Sequence, residues 1–436
     1  MTLKCSQALF FAVLASALLS SANSFAVPSR VLTFDEAAEI ALRDNADILQ
    51  IRSTEESAKA KESQALSPNE PSFSFMNNNA STPFRLTQGA SKTYSLQWTL
   101  GFPGKSIFQS KQFAQTALSA REQGFEKEVS ILVSLSNLYV TISSNNQLIK
   151  ILQQEADRTN EVLKIIEHKY GLGQASQVDL LSSKSAVAKL NHDLLNATEM
   201  SKVLQAQFLT ILRKPDANYE ATPDIIIEVP EISSSQEQLI QTMLKNRHLI
   251  KSAEYQVGSA SANSTFAAMQ WLPDFQLTAA MQLYSIPNAQ ANPDLSRDYS
   301  FGFQVVIPIF YPVNERNTYR SAHSDQATAE FQADSTRLQS ISDLKSNFTL
   351  YQAGYRQLKD MQSFLLPATK ASYDLTIKSY ALGKADYLRL ADARNNWIST
   401  QKDELSKRAE LAQLFNNITL NVGCDFRNKE GPHACQ

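Results

Sequence analysis

The sequence predicts an α+β fold that is mostly helical, in which very long coiled-coil helices alternate with two pairs of amphipathic strands. Three observations support this prediction. Gly and Pro are scarce among the 436 residues, at 12 and 15, and this scarcity disfavours a loop-rich or all-β chain. The chain repeats itself at an offset of about 210 residues. Within each repeat the hydrophobic spacing changes between a period of 2 and a period near 3.5.

Composition excludes several classes of protein. The 41 basic and 43 acidic residues give a formal charge of -2, and no basic stripe is visible. Since a nucleic-acid partner requires clustered positive charge, we expect none. Apolar residues make up 43% of the chain and the mean hydropathy is -0.28, which excludes a polytopic helical membrane protein.

Residues 1–26 have the pattern of an export signal peptide. Lys4 supplies positive charge, an apolar core follows from Ala8 to Leu19, and Ser24-Phe25-Ala26 is a small-x-small cleavage site. We therefore expect the mature chain to begin near Val27. An uncleaved anchor helix is the alternative. Cys5 precedes the apolar core, so it is not the acylated Cys of a lipoprotein.

An internal repeat organises the mature chain. Tyr170–Ala175 recurs as Tyr380–Ala385, with Tyr, Leu, Gly and Ala in common. Earlier matches keep the same order, such as Pro71 with Pro273. The prediction is a first repeat at 27–214, a linker or equatorial segment at 215–234, a second repeat at 235–423 and a tail at 424–436.

The strands come in two pairs, one in each repeat. From Tyr94 to Phe102 apolar residues alternate with polar ones, and residues 299–305 show the same alternation. Each strand has an upstream partner, near 72–75 and 275–283 respectively. The segments Asn77–Lys92 and Ser285–Asp298 between the partners are polar, so we expect two β-hairpins with long loops.

The other segments predict coiled-coil helices. Between Ile131 and Tyr170 apolar residues keep a four-three spacing that Asn145 and Thr159 interrupt, and we expect these two residues to fix register. The spacing continues in 187–211 and again from Ile341 to Leu365, through Gln362. A continuous helix from Lys105 to Tyr170 would be on the order of 100 Å long.

Four short amphipathic strands cannot be stable in water as isolated hairpins, because their edges and apolar faces would be exposed. Their length and alternation are typical of an outer-membrane barrel. Four strands cannot enclose a lumen, so several chains must contribute. The residues predicted to face lipid, with a soluble core as the alternative, are Tyr94, Leu96, Trp98, Leu100, Phe301 and Phe303.

Several motifs occur in a fixed order, partly duplicated. They are Leu32–Ala37, the strand starts at Pro71 and Pro273, Val306–Phe310, Leu366–Ala368 and Tyr-x-x-Gly at each hairpin tip. In this order the chain resembles the TolC-like outer membrane efflux protein (outer-membrane factor) family over nearly its whole mature length. The resemblance implies a homotrimer whose 12-stranded barrel lies in outer-membrane lipid and continues as a periplasmic helical tunnel. It also implies a passive export duct for efflux or type I secretion, opened by a periplasmic adaptor and an inner-membrane transporter.

The resemblance also implies roles for the hairpin tips and for a periplasmic gate. Glycines allow the left-handed backbone of a tight reversal, and the adaptor is expected to dock at the tips, on Tyr170, Gly173, Tyr380, Gly383 and Lys384. Relatives commonly place two acidic residues six and nine positions after the second tip glycine. Here those positions hold Arg389 and Asp392, and Asp179 lies six after Gly173. Asp392 is expected to line the constriction, with Arg389 paired to Asp179 or Asp392; solvated surface charges are the alternative.

The remaining signals point away from chemistry. Five His residues are scattered and no phosphate loop or nucleophile motif is present, so we expect no catalytic residues, no cofactor and no metal site. Cys424 and Cys435 are expected to form a disulfide after export, with two free thiols as the alternative. A rival function is an exported trimeric coiled-coil structural or adhesive protein. That rival leaves the two hairpins unexplained, and the exported substrate is not encoded in any visible motif.

Overall fold

A computed structural model describes residues 30–43, 45–78, 90–222, 227, 229–284, 296–311 and 313–423. The signal peptide, both hairpin loops and the cysteines Cys424 and Cys435 lie outside these residues, so the disulfide stays a prediction. The helices are α1 (Phe34–Arg43), α2 (Ala46–Leu66), α3 (Lys105–Gly171), α4 (Gln177–Ile211), α5 (Gln236–Asn246), α6 (His248–Ala268), α7 (Glu315–Asp360), α8 (Leu366–Ala381) and α9 (Tyr387–Val422). The strands are β1 (Arg30–Leu32), β2 (Ser72–Asn78), β3 (Ser91–Leu100), β4 (Tyr219–Ala221), β5 (Asp274–Tyr284) and β6 (Arg297–Val306).

The chain forms two compact units, and each contains segments from both predicted repeats. The tip unit comprises the described residues of 30–43, 135–227 and 365–409. The sheet unit comprises those of 45–134, 229–364 and 410–423. None of the described helices combines the length and the apolar character needed to cross a membrane.

The sheet unit contains a four-stranded antiparallel sheet in the order β2-β3-β5-β6. The two predicted pairs are present, and β3 joins them by pairing with β5. The strands begin and end within a few residues of the alternating segments. Because the sheet is open, β2 and β6 each keep one edge that no other described strand pairs with.

The helices of the sheet unit share one hydrophobic core. It is built by α5, α6, α7 and the end of α9 from Leu239, Met243, Ile250, Leu344, Phe348, Tyr351, Leu358, Leu411, Phe415, Ile418 and Val422. Gly354 allows close packing here, because a Cβ at this position would lie 2.7 Å from Leu411 Cδ2.

The tip unit contains two helical hairpins, as the heptad spacing predicts. In the α3–α4 hairpin Leu152 and Ala156 pack against Leu190 and Ala197. Two hydrogen bonds from Asn145 to α4 support its expected role in fixing the register of the hairpin. Its Nδ2 donates to the Ala197 carbonyl at 2.9 Å and to Ser201 Oγ at 2.8 Å. The α8–α9 hairpin packs on α3 through Val162, Ile166, Tyr373, Tyr380, Tyr387, Leu390 and Trp397.

The tip unit also holds a small sheet that the sequence does not predict. β1 pairs in parallel with β4, a strand inside the segment that the sequence presents as a linker. Tyr139 of α3 donates its hydroxyl to the Leu32 carbonyl at 3.1 Å. Strands of three residues carry too little alternation to be recognised in a sequence.

One predicted helical pattern is wrong at its end. The buried seam of α7 stops at Leu358, and Leu365, which the four-three spacing places in the seam, is 42% exposed; Gln362 is exposed as well. The cause is a π-helical turn at Met361–Leu365, which ends two residues before Pro367. A π-turn adds a residue to the repeat and rotates the following side chains off the seam.

Candidate functional site

One face of the four-stranded sheet is almost entirely apolar. The strand register aligns Leu96 with Phe73 and Ala279, and Ala279 in turn with Phe301. Further rows on the same face are Phe75–Tyr94–Met281–Tyr299, Trp98–Leu277–Phe303 and Leu100–Phe275–Val305. All six residues predicted to face lipid therefore lie on this face. In the isolated chain Phe301 is 86% exposed.

The opposite face of the sheet is polar and carries its own side-chain hydrogen bonds. Ser74 Oγ lies 2.6 Å from Ser95 Oγ, and Gln282 donates to Ser91 Oγ at 3.0 Å. A sheet with one apolar and one hydrogen-bonding face is suited to separate an apolar medium from water.

The two hairpin tips have the same backbone geometry. Gly173 and Gly383 have φ angles of 70° and 72°. In the first tip the Gly173 amide donates to the Tyr170 carbonyl at 3.0 Å, and the Gln174 amide donates to the Lys169 carbonyl at 2.8 Å. The second tip has the same two bonds at the same distances, from the Gly383 amide to the Tyr380 carbonyl and from the Lys384 amide to the Ser379 carbonyl. These bonds satisfy the last carbonyls of α3 and α8, as a left-handed helix end requires.

The helices that leave the tips begin with side-chain caps. Ser176 and Asp179 form a capping box at the start of α4, with both bonds at 3.1 Å. At the start of α9 Asp386 accepts from the Arg389 amide at 2.9 Å. Asp179 and Arg389 thus occupy the same helical position. A positive side chain is disfavoured there by the helix dipole, whereas Asp179 is favoured.

Side chains join the two tips within the tip unit. Lys169 donates its ammonium to the Tyr380 carbonyl and lies 4.5 Å from the centre of the Tyr380 ring. Burial raises the pKa of Tyr380, and the nearby Asp179 carboxylate raises it further. The Tyr380 ring meets Tyr387 edge-on at 6.4 Å. Sequence reasoning missed Lys169, since a lysine in the last turn of a helix is usually solvated.

Arg389 and Asp392 are exposed on the first turns of α9. Among the described residues no ion pair joins Arg389 to Asp179 or to Asp392, and the Asp179 carboxylate is engaged by Ser176. The structure therefore places the three predicted gate residues at the start of the two returning helices, without a lock inside one chain.

Comparisons with known proteins agree on one family. The family described as outer membrane efflux protein matches residues 239–423. A solvent efflux pump outer membrane protein, SrpC of Pseudomonas putida, is 23% identical over 324 residues, covering 71% of this chain and 65% of the relative. This chain thus spans about two-thirds of that relative's own length.

Two solved structures have the same fold. The outer-membrane channel OprN superposes with a TM-score of 0.77 at 18% identity, covering 91% of both chains. The outer membrane protein VceC of Vibrio cholerae superposes with a TM-score of 0.75 at 16% identity, covering 89% of this chain and 96% of its own. Residues 239–423 therefore match the outer membrane efflux protein family, and the described chain has the fold of these outer-membrane channels.

Proposed function

We propose that three copies of this chain form a passive outer-membrane channel for efflux, without enzymatic activity. The observation that carries the proposal is the sheet, which has one apolar face and two open edges. Pairing the β2 edge of one copy with the β6 edge of the next satisfies both edges, and three copies of four strands give a 12-stranded barrel. The apolar face then contacts lipid and the polar face lines the lumen.

The helical part of each copy would form a periplasmic tunnel. Large apolar side chains remain exposed along the helices of a single copy, among them Phe331 and Leu338 of α7 at 74% and 68%. These two residues lie one heptad apart, which is the spacing of a helix that packs on another helix. Neighbouring copies are the partners that the trimer supplies. Two tandem repeats, 27–214 and 235–423, remain our proposal for how such a chain arose.

The tips are proposed to receive a periplasmic adaptor, and an inner-membrane transporter would deliver the substrate. In support, both tips expose apolar side chains at equivalent positions. Leu172 and Leu382 are 59% and 72% exposed, and Val178 and Leu388 are 71% and 68% exposed. Exposed apolar groups beside Tyr170, Gly173, Tyr380, Gly383 and Lys384 are suited to a protein partner.

A periplasmic constriction is proposed at the start of α9. Asp392 and Arg389 are exposed there and unpaired with each other, so in a trimer they are available to the neighbouring copies. Arg389 would then pair with Asp179 or Asp392 of another copy. Exposed ion pairs contribute about 0–1 kcal/mol each, so such a gate opens at low cost.

Single-channel recording of detergent-purified protein in planar bilayers tests the channel. We expect discrete conductance steps and a trimer by native mass spectrometry. Extraction from cells without detergent, or a trimer without conductance, would support the rival trimeric coiled-coil structural or adhesive protein. That rival function gives no role to the apolar face of the sheet.

A further inference from the structure

An open cleft of about 430 Å³ lies in the tip unit, between α4 and α9. Part of its surface is apolar. Leu190 of α4 and Ile398 of α9 line it, and both are buried in the core where α3 packs against α4. The other part of the lining is charged and consists of Lys189, Asp193, Arg394, Lys402 and Asp403.

The two carboxylates at the cleft already have partners. Asp193 accepts from the Lys402 ammonium at 3.0 Å, and this pair joins α4 to α9. Asp403 accepts from the hydroxyl of Ser399, one turn earlier on α9, at 3.2 Å. Since Lys402 and Asp193 cancel each other, the positive charges of the two remaining cations outweigh the single negative charge of Asp403.

Arg394 carries a buried charge without an ion pair. It is 9% exposed, and its one hydrogen bond within the described part of the chain runs from Nη2 to Oδ1 of its neighbour Asn395 at 3.3 Å. Lys189 also forms no ion pair with any described residue. A guanidinium has five N–H donors, and burying it without an anion is costly because it loses its hydration.

Two buried acids of the tip unit are engaged elsewhere. Glu155 of α3 accepts from Trp397 Nε1 at 2.8 Å, and Glu404 of α9 pairs with Arg408. Neither acid forms an ion pair with Arg394 in the described structure. Arg394 therefore lacks a carboxylate partner within the tip unit as the structure describes it.

The chemistry of the cleft selects the kind of ligand that fits. A guanidinium binds a carboxylate through two parallel hydrogen bonds, and a nearby ammonium adds attraction. The small excess of positive charge suits one negative charge better than two, because Asp403 repels a second. Leu190 and Ile398 provide apolar surface for the rest of the ligand, and the cleft has room for a ring or a short chain.

We propose that this cleft binds a small organic carboxylate with an apolar body. The ligand's carboxylate pairs with Arg394 and is attracted by Lys189, and its apolar body covers Leu190 and Ile398. The ligand thereby supplies the anion that the buried guanidinium lacks. Binding of this kind is independent of transport, so a protein without channel conductance would leave the proposal standing.

Equilibrium dialysis of labelled benzoate against full-length protein in detergent tests the site, with empty micelles as the blank. We expect saturable binding of benzoate. Benzamide, which has nearly the same shape and no charge, should bind about tenfold more weakly, as should inorganic phosphate, which lacks an apolar body. Absence of saturable benzoate binding would overturn the proposal. Equal binding of benzamide would overturn the role of charge, and equal binding of phosphate would overturn the organic ligand class.

Variants locate the binding to the cleft. Arg394→Gln should weaken benzoate binding about tenfold, and Lys189→Gln, at an exposed position that is not needed for folding, about threefold. Lys184→Gln is the matched control, because Lys184 is an exposed lysine of the same helix that pairs with Glu167 at 3.4 Å, outside the cleft. Its benzoate affinity should equal that of the wild type.

Two results with these variants would overturn the proposal. One is unchanged benzoate affinity in both Arg394→Gln and Lys189→Gln. The other is a loss of oligomer in native mass spectra of Arg394→Gln, because the missing anion would then be a carboxylate of a neighbouring copy and not a small ligand.

Discussion

The ammonium of Lys105 lies 2.9 Å from the Asp274 carboxylate, joining the first residue of α3 to the first residue of β5. Lys105 also donates to the Leu272 carbonyl at 2.9 Å, and the same Asp274 oxygen accepts from the Phe102 amide at 3.1 Å. The Lys105 side chain is 10% exposed and that of Asp274 is 38% exposed. This pair fixes the point where the sheet turns into helix.

Removing the Lys105 charge should weaken this junction. A buried partner of an ion pair costs about 3–5 kcal/mol to remove, and the exposure of Asp274 reduces this to about 1–3 kcal/mol. Lys105→Met should therefore lower the thermal midpoint of the purified protein, whereas Lys111→Met on the exposed side of α3 should not. Equal midpoints for the two variants would show that the pair contributes nothing.

Charge on the apolar sheet face should impair membrane assembly. An arginine near the bilayer midplane of a barrel costs about 2–4 kcal/mol. Leu96→Arg should thus reduce the amount of protein assembled in outer-membrane fractions much more than Gln97→Arg, because Gln97 lies on the polar face. If both substitutions reduce it equally, the assignment of the two faces is refuted.

The gate residues are tested by conductance. If Arg389 helps to hold the constriction closed, Arg389→Ser should raise single-channel conductance. Asp392→Ala removes a negative charge from the proposed lining of the constriction, so cation preference should fall. Recordings that match the wild type in conductance and selectivity for both variants would mean that these charges are merely solvated.

Gly173 at the first tip should tolerate substitution by alanine less well than Gly171, two residues before it. Alanine at Gly173 must adopt a φ of 70°, which costs roughly 1 kcal/mol. Gly171→Ala adds a methyl group to the last residue of α3, where no atom lies within 4 Å, and alanine favours helix. Hydrogen exchange at the tip should accelerate in Gly173→Ala and slow in Gly171→Ala; the reverse order would contradict the assigned turn.

Alkaline pH should destabilise the tip unit through Tyr373. Its pKa is raised to about 12 in the fold, against about 10 in an unfolded chain. Below pH 10 both states keep the proton; between these values the unfolded state releases it first, so stability falls as pH rises. Tyr373→Phe should reduce this fall in thermal scans at pH 8 and pH 11, and Tyr170→Phe, at an exposed site, should not. An unchanged fall in Tyr373→Phe would show that other groups cause it.

Periodic features could be predicted from the sequence, and contacts between distant segments could not. Tyr94 and Leu96 reveal a strand face because alternation is local, and Gly173 and Gly383 mark the tips because a positive φ favours glycine. Pairing of β3 with β5 and the bond from Trp397 to Glu155 join residues about 180 and 240 positions apart. The π-turn before Pro367 also escaped prediction, because it changes helical phase within a single turn.

The two open edges of the sheet have a consequence for biogenesis. In the proposed trimer, a newly exported copy carries an apolar face and two unpaired strand edges until it meets other copies, and such edges favour aggregation. Its folding yield should therefore depend on the concentration of nascent copies and on periplasmic chaperones that hold them apart. Underexpression would then lower the folding yield as overexpression does, because copies that meet no partner would remain exposed to proteases.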